Sequence, residues 1–167
     1  PYRTYPGTHP TKGGFFTRGT TRNAYANYSE AGPDYMYNVT RLLQKFDSAK
    51  AMVPQPVLRA AKKPTRFGVI YFGSTSPAMN EALDALDAMG LHIDALRLRA
   101  FPFADSIPEF ILAHDQVFVV EQNRDAQLRG MLVNELEIAP NRLPPILHYD
   151  GTPITARFIT AAIAQRL

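Results

Sequence analysis

Hydrophobic and polar positions change their spacing along the chain, and from residue 67 onwards short apolar runs alternate with amphipathic segments. The apolar runs are rich in β-branched and aromatic residues, and they predict strands at residues 67–73, 92–98, 116–120 and 145–149. Apolar residues at helical spacing predict helices at residues 76–90, 105–114, 125–136 and 152–167. Strands that alternate with helices through short connections favour a mainly parallel sheet covered on both faces. Residues 67–167 are therefore expected to form a three-layer α/β/α sandwich.

Helix start and stop signals support two of these segments. Ser76 followed by Pro77 is typical of an N-cap and a first helical residue, and Gly90 is typical of a helix end. Thr152 and Pro153 repeat the same start before the last helix. These pairs predict that both helices begin there.

The first 66 residues have a different composition. Residues 1–33 contain few aliphatic side chains but many Gly, Pro, Thr, Tyr and Phe, which indicates an extended arm packed against its own body or a partner. One apolar face predicts a helix at residues 34–53, and the three prolines of residues 54–66 indicate a linker. The expected division is a basic arm, helix and linker at residues 1–66, followed by an α/β domain at residues 67–167.

The composition of the 167 residues is that of a soluble globular protein, with 46% hydrophobic and 20% charged residues. No apolar run is long enough to span a membrane, and no signal-peptide pattern opens the chain. The absence of cysteine excludes disulfides, thiolate zinc sites and cysteine-ligated iron–sulfur clusters within the chain. A cytoplasmic location is expected, and the first residue, Pro1, indicates a processed product or a fragment.

Charge is distributed unevenly although the net charge is only +3. Residues 1–66 carry eleven basic side chains against three acidic ones, whereas residues 67–167 carry seven against twelve. A basic arm suits either nucleic acid or an acidic neighbouring domain. No recognised nucleic-acid-binding pattern accompanies the charge, so nucleic acid is the less favoured partner.

Ligands of parallel α/β sheets bind at the carboxyl ends of the strands, where three loops of the predicted sheet lie. The first loop holds the small residues Gly73, Ser74, Thr75 and Ser76. Such a turn suits an anion at a helix N-terminus, although an ordinary strand-to-helix turn with a Ser cap is favoured. The second loop follows Arg97 and Arg99, which alternate with leucines and so share one face of the sheet. An anion site and an interface role are equally open for these two arginines.

The third loop follows the apolar run VFVV and concentrates the polar residues Glu121, Asn123, Arg124, Asp125 and Gln127. Asn123 or Asp125 is a candidate cap for the next helix. Glu121 stands at the mouth of an apolar strand, where a charge needs a partner, and Arg124 is a local candidate. A capping or interface role is favoured over ligand contact. The four histidines lack metal-ligand spacing and no nucleophile motif is present, so neither a metal site nor a complete catalytic set is predicted.

Several stretches together resemble a known family. The sequences VIYFGSTSPAMNEALDALDAMGLHIDALRLRAFPF, VFVVEQNRDAQL and HYDGTPIT resemble the C-terminal domain of the α subunit of 2-oxoacid:ferredoxin oxidoreductases, most closely the 2-oxoglutarate type. That domain is similar to the C-terminal domain of transketolases. The segment YPGTHPTKGGFFTRGTTRNAYANYSE is similar to the stretch that follows the pyrimidine-binding domain in those subunits. The resemblance covers essentially all of the chain.

The resemblance implies an enzyme that decarboxylates a 2-oxoacid on thiamine diphosphate, passes electrons through an iron–sulfur cluster to ferredoxin, and transfers the acyl group to coenzyme A. It implies that thiamine diphosphate, Mg²⁺ and the cluster belong to the N-terminal part of the α subunit and to the β subunit, because this chain has no cysteine and no Gly-Asp-Gly…Asn stretch. The chain is then expected to serve assembly and active-site positioning, with no cofactor and no catalytic residue of its own. The alternative is a free-standing α/β module that binds a nucleotide or another anion.

Two departures from the family pattern bear on the site. Ala126 stands where the family's Glu-x-Asn-x-x-Gly-Gln run commonly has Gly, which argues against a close backbone approach. The family's Gly-x-Glu-His pattern is replaced by residues 18–22, RGTTR, so no acidic or histidine role carries over. The residues expected near the substrate or coenzyme A are Arg18, Thr20, Arg22, Arg97 and Arg99. Arg18 or Arg22 is expected to face a dicarboxylate such as 2-oxoglutarate.

Overall fold

The structure is a computed structural model that describes residue 5, residues 7–11 and residues 19–167. Much of the expected arm, including Arg18, lies outside these described residues. The chain divides into two compact units, Pro1–Ser48 and Ala49–Leu167.

The first unit contains a short hairpin and most of one long helix. Strands β1 (Thr21–Arg22) and β2 (Tyr28–Ser29) pair antiparallel, and helix α1 follows at Gly32–Ala49. Asn38 donates from Nδ2 to the Thr21 hydroxyl (2.6 Å) and to the Arg22 carbonyl oxygen (2.7 Å), which fastens the hairpin to the helix. The sequence predicts this helix at residues 34–53, and it begins two residues earlier because Pro33 fits a first helical turn, where its missing N–H has no cost.

Apolar side chains share one face of α1 and remain exposed. No residue of this helix is buried. Tyr35, Val39, Leu42 and Leu43 follow helical spacing, and each is between 38% and 65% exposed. Helices in proteins gain most of their stability by packing such a face, so this stripe is a candidate contact surface of the first unit.

The second unit is a five-stranded sheet with helices on both faces. Its strands are β3 (Val57–Arg59), β4 (Phe67–Phe72), β5 (Asp94–Leu98), β6 (Gln116–Glu121) and β7 (Pro145–Leu147). The strand order is β3-β5-β4-β6-β7, and all neighbours are parallel except β3, which pairs antiparallel with β5. The predicted mainly parallel sheet is confirmed. The prediction of a linker was wrong at residues 57–59, because an edge strand of three residues is too short to show a period.

Four helices cover the sheet in two layers, which confirms the predicted three-layer sandwich. They are α2 (Ser76–Ala88), α3 (Ser106–Leu112), α4 (Gln127–Leu136) and α5 (Ala156–Ala164). Val69 and Phe118 belong to the core beneath α2 and α5, whereas Ile70 and Val119 belong to the core beneath α3 and α4. Successive strand residues therefore enter opposite cores, which explains why the strands are continuous apolar runs. None of the helices described is long and apolar enough to cross a membrane.

Gly68 in β4 allows α3 to approach the sheet closely. A Cβ atom at this position would lie 2.9 Å from the Phe110 ring and 3.2 Å from Cγ2 of Val117. Protein cores are packed too densely to leave such an overlap unrelieved. The absence of a side chain at residue 68 is therefore a packing requirement.

The last helix begins later than its sequence signal predicts. The Thr155 hydroxyl accepts a hydrogen bond from the Phe158 N–H (3.2 Å) and caps α5. Thr152 instead donates from its backbone N–H (2.8 Å) and its hydroxyl (2.7 Å) to Oδ1 of Asp150. The prediction of a helix start at Thr152 and Pro153 was wrong, because Thr152 forms a local turn with Asp150 and the Thr155 hydroxyl caps the helix instead.

Candidate functional site

The carboxyl ends of four parallel strands form one edge of the sheet. These strands end at Phe72, Leu98, Glu121 and Leu147. β5 and β6 flank β4 on opposite sides, and the loops after β4 and β6 lead to helices on opposite faces. Ligands of open α/β sheets bind at such a switch point, so the loops at residues 73–75 and 122–126 are the first candidate site.

The polar cluster after β6 caps helix α4. The residue before the helix is an alanine, so the first helical N–H groups need acceptors from elsewhere. The Asn123 Oδ1 accepts from the Gln127 N–H (3.2 Å). The Glu121 carboxylate accepts from the next two, the Leu128 N–H at Oε2 (2.7 Å) and the Arg129 N–H at Oε1 (2.9 Å). Three consecutive amides are thus satisfied by side chains from the strand end.

These contacts explain how a charged residue ends an apolar strand. Glu121 is 0% exposed, and it also accepts a hydrogen bond from Nδ2 of Asn123 (2.8 Å) at the positive end of the helix dipole. The predicted pairing with Arg124 was wrong, because Nε of Arg124 lies 2.7 Å from Oδ1 of Asp125 instead. Burial also removes Glu121 from the expected interface, whereas Arg124, Asp125 and Gln127 are exposed.

Ala126 links the strand end to α4 in a left-handed conformation, with φ of 50° and ψ of 48°. Glycine adopts this conformation without steric cost, whereas a residue with a Cβ atom is strained. The glycine that is common here in the resembling family suits this backbone angle. The sequence predicted from Ala126 only that no close backbone approach is needed at this position. It did not predict that residue 126 adopts a left-handed conformation.

Gln122 crosses the switch point and joins three segments. Its Nε2 donates to Oγ of Ser74 (3.0 Å) and to Oγ1 of Thr75 (3.1 Å), and its Oε1 accepts from the Ile154 N–H (3.3 Å). No sequence motif marks Gln122 as a site residue, and its only signal is its place directly after the strand. The Gln122 amide therefore lies in the crevice where such sheets bind ligands.

Internal contacts occupy the small-residue turn after β4. Residues Gly73–Thr75 form one turn of 3-10 helix, and the Ser76 N–H donates back to the Gly73 carbonyl. Thr75 precedes α2 without a side-chain capping bond, so the predicted Ser76 cap was wrong. Thr75 is 2% and Ser76 is 9% exposed. The geometry favours the strand-to-helix turn over the anion-binding turn.

Arg97 lies opposite Tyr71 on β4 and Val57 on β3. Its Nε is buried and has no hydrogen-bond partner within residues 19–167 or the other described positions. Burial raises the pKa of the Tyr71 hydroxyl, while the positive charges of Arg97 and Arg59 oppose that rise. Arg99 is exposed and lies beyond the end of β5, so the alternation that predicted a shared face ends before it.

His148 and Asp150 form a pair in the loop after β7. Nε2 of the buried histidine lies 3.4 Å from Oδ2 of Asp150, and its ring meets the Phe158 ring edge-on at 4.9 Å. Hydrogen bonds from Thr152 hold the pKa of Asp150 below its usual range. Among the residues that the structure describes, no group of three or more His, Cys, Asp or Glu side chains could hold a metal ion.

Two of the residues expected near the substrate lie in the first unit. Thr20 is exposed, and Arg22 in β1 directs Nη1 towards a hairpin carbonyl oxygen at 3.4 Å. Gly19 directly precedes Thr20 and has a φ of +109°. A Cβ atom at residue 19 would lie 1.9 Å from the Tyr28 ring. The path of the backbone beside Thr20 therefore depends on glycine.

The fold is similar to that of a solved oxidoreductase. Over 96% of this chain the structure matches 2-oxoglutarate:ferredoxin oxidoreductase from Magnetococcus marinus, solved with 2-oxoglutarate, coenzyme A and succinyl-CoA bound, at a TM-score of 0.80 and 20% sequence identity. The alpha chain of a probable 2-oxoacid ferredoxin oxidoreductase from Thermoplasma acidophilum matches 67% of this chain and 96% of its own length, at 24% identity and a TM-score of 0.45. No protein-family model matches the sequence, and no curated protein is significantly similar to it.

The match to the Magnetococcus marinus enzyme confirms the fold that the sequence resemblance implies. The chain has the fold of one portion of a 2-oxoacid:ferredoxin oxidoreductase chain, and this portion is 27% of that chain. Fold alone does not carry chemistry, because function depends on the residues of a site.

Proposed function

We propose that this chain is the C-terminal domain of the α subunit of a 2-oxoacid:ferredoxin oxidoreductase whose substrate is 2-oxoglutarate. Such an enzyme decarboxylates the oxoacid on thiamine diphosphate, reduces ferredoxin through an iron–sulfur cluster and forms acyl-CoA in the cytoplasm. The observation that carries the proposal is the match of 96% of this chain to part of the Magnetococcus marinus enzyme at a TM-score of 0.80. The family motifs quoted from the sequence support it.

The role of this chain in the proposal is structural. It has no cysteine to hold a cluster, and among its described residues no group of three or more His, Cys, Asp or Glu side chains could hold a metal ion. The side-chain oxygens of Glu121 and Asn123 accept hydrogen bonds from the backbone N–H groups at the N-terminus of α4. We therefore assign the cofactors to the N-terminal part of the same subunit and to the β subunit.

Assembly and active-site positioning are the proposed tasks of the domain. The exposed apolar stripe of α1 suits the remainder of the α subunit, because a helix with no buried residue needs a neighbour to cover its apolar face. Arg124, Asp125 and Gln127 supply an exposed polar contact at the carboxyl edge of the sheet. The basic first 66 residues suit an acidic partner surface.

Arginine near the hairpin is proposed to recognise the second carboxylate of 2-oxoglutarate, with Arg22 or Arg18 as the donor and Thr20 beside it. A guanidinium binds a carboxylate through two parallel hydrogen bonds, and 2-oxoglutarate has a second carboxylate for this contact whereas pyruvate has none. In the complete enzyme, Arg22→Ala should raise KM for 2-oxoglutarate about tenfold and leave kcat less affected. Arg41→Ala, which removes an exposed charge from α1, is the matched control. An unchanged KM in both arginine variants, Arg18→Ala and Arg22→Ala, would refute this role.

Activity of the complete enzyme tests the whole proposal. The full α subunit that contains this chain would be co-expressed with its β subunit, and reduction of ferredoxin would be followed with 2-oxoglutarate, pyruvate or no oxoacid. We expect reduction that requires both coenzyme A and 2-oxoglutarate. A complex that reduces ferredoxin with none of the oxoacids would overturn the assignment, and a preference for pyruvate would overturn the choice of substrate.

A further inference from the structure

Arg97 has a well-defined position at the carboxyl edge of the sheet. It is the second-last residue of β5, and it lies directly opposite Tyr71 on one neighbouring strand and Val57 on the other. Side chains of directly opposite residues point to the same face of a sheet, so Arg97 extends beside Tyr71 on the face that α2 covers. Because strands pair on both sides of β5, the backbone that carries this guanidinium is rigid.

The guanidinium of Arg97 is unused within the described part of the chain. Its Nε is buried without an acceptor, and none of its nitrogens forms an ion pair among residues 19–167. Buried polar atoms nearly always have a hydrogen-bond partner, and those of charged groups have the greatest need of one. Arg97 as a whole is only partly buried, so its guanidinium can turn towards solvent without breaking a hydrogen bond.

The charges around Arg97 fit an anion. Arg59 on the neighbouring strand β3 forms an ion pair with Asp84, whose Oδ1 lies 2.5 Å from Nη2 of the arginine. Nη1 of Arg59 donates to the Asn80 carbonyl oxygen (3.2 Å). Arg59 and Arg97 therefore bring two positive charges close to the Tyr71 hydroxyl, and only that of Arg59 is paired with a carboxylate, so a cation would be repelled from this corner.

We propose that Arg97 is the donor of an oxyanion-binding site at the corner between β3 and β5. The ligand group is a carboxylate or a phosphate, because both present paired oxygens that match the planar fork of a guanidinium. Binding would give the buried Nε its missing acceptor. The proposal rests on the geometry of β5 and stands independently of the assignment as an oxidoreductase domain.

Titration of the whole 167-residue chain tests this site directly. Inorganic phosphate, pyrophosphate and glutarate would be added at constant ionic strength, and the ¹H–¹⁵N signal of the Arg97 Nε–H group would be followed by NMR. We expect a saturable shift with at least one of these anions. The anion that binds more tightly identifies the phosphate or carboxylate class, because each probe carries only one of the two groups.

Variants of Arg97 and Arg66 distinguish specific anion binding at Arg97 from a general attraction of anions to a basic chain. Arg97→Gln should weaken binding about tenfold or more, and Arg97→Lys should weaken it less, because lysine keeps the charge but not the fork. Arg66→Gln removes an equal charge at the opposite edge of the sheet, where Arg66 pairs with Asp115 at 3.1 Å, and should leave binding unchanged. The proposal is overturned by the absence of a saturable shift with all three anions, or by equal weakening in the Arg97 and Arg66 variants. The shift in the unmodified chain decides the matter even if Arg97→Gln does not fold.

Discussion

The substitution Glu121→Gln tests whether the polar cluster after β6 is a helix cap. It keeps the size and shape of the side chain but replaces one carboxylate oxygen with an NH₂ group. In the structure every contact of the carboxylate is with a donor, namely the Leu128 and Arg129 amides and Nδ2 of Asn123. At least one of these donors would therefore face another donor in the variant.

The cost follows from burial and from the number of bonds affected. A hydrogen bond to a charged group contributes about 1.5–3 kcal/mol, and a buried donor left without an acceptor costs about 1–3 kcal/mol. Glu121 is 0% exposed, so water does not replace the lost acceptor. We expect Glu121→Gln to lower the free energy of unfolding by about 2–4 kcal/mol, a large share of the roughly 5–15 kcal/mol that is typical of a domain.

Urea unfolding followed by circular dichroism measures this change, and hydrogen exchange locates it. Exchange of the Leu128 and Arg129 amides should accelerate in the variant, whereas amides in β4 should respond only to the global loss of stability. Glu135→Gln is the matched control, because Glu135 is an exposed residue of the same helix. A loss below about 0.5 kcal/mol, equal to that of an ordinary surface substitution, would refute the capping role, as would unchanged protection of both amides.

Three further changes test other parts of the structure. Ala126→Gly should raise stability by about 0.5–1 kcal/mol, because a left-handed φ of 50° strains a residue with a Cβ atom; an unchanged or lower melting temperature would contradict this. Gly68→Ala should cost about 1–3 kcal/mol in urea unfolding, because the new Cβ atom would lie 2.9 Å from the Phe110 ring, and a neutral result would show that the ring moves freely. The hydrogen bond from His92 holds the pKa of Asp87 below its usual range, so the stability that Asp87 contributes is complete above about pH 4 and is lost as the pH falls further. The stability deficit of Asp87→Asn should therefore be larger at pH 7 than at pH 3, and an equal deficit at both would argue against the pairing.

The order of strands and helices in the second unit could be predicted because it depends on local periodicity. Val69 and Ile70 enter opposite cores simply because successive strand residues point to opposite faces, and the sequence shows this as a continuous apolar run. The exceptions are short or locally ambiguous features. β3 has only three residues, which is too few to show a period. Thr152 has the sequence signal of a helix start, but it forms a turn with Asp150 instead.

The candidate site was less predictable, because its side chains form hydrogen bonds with groups that are close in space but distant in the sequence. Glu121 reaches amides seven and eight residues further along the chain, and Gln122 reaches hydroxyl groups 47 and 48 residues before it. The sequence alone determined that polar side chains would stand at the end of an apolar strand and that no cysteine chemistry could take place there. Only the tertiary structure decided that Glu121 faces a helix N-terminus while Arg97 keeps an unpaired donor. A periodic pattern records which residues are buried, whereas the partner of a buried polar group depends on which elements the fold brings together.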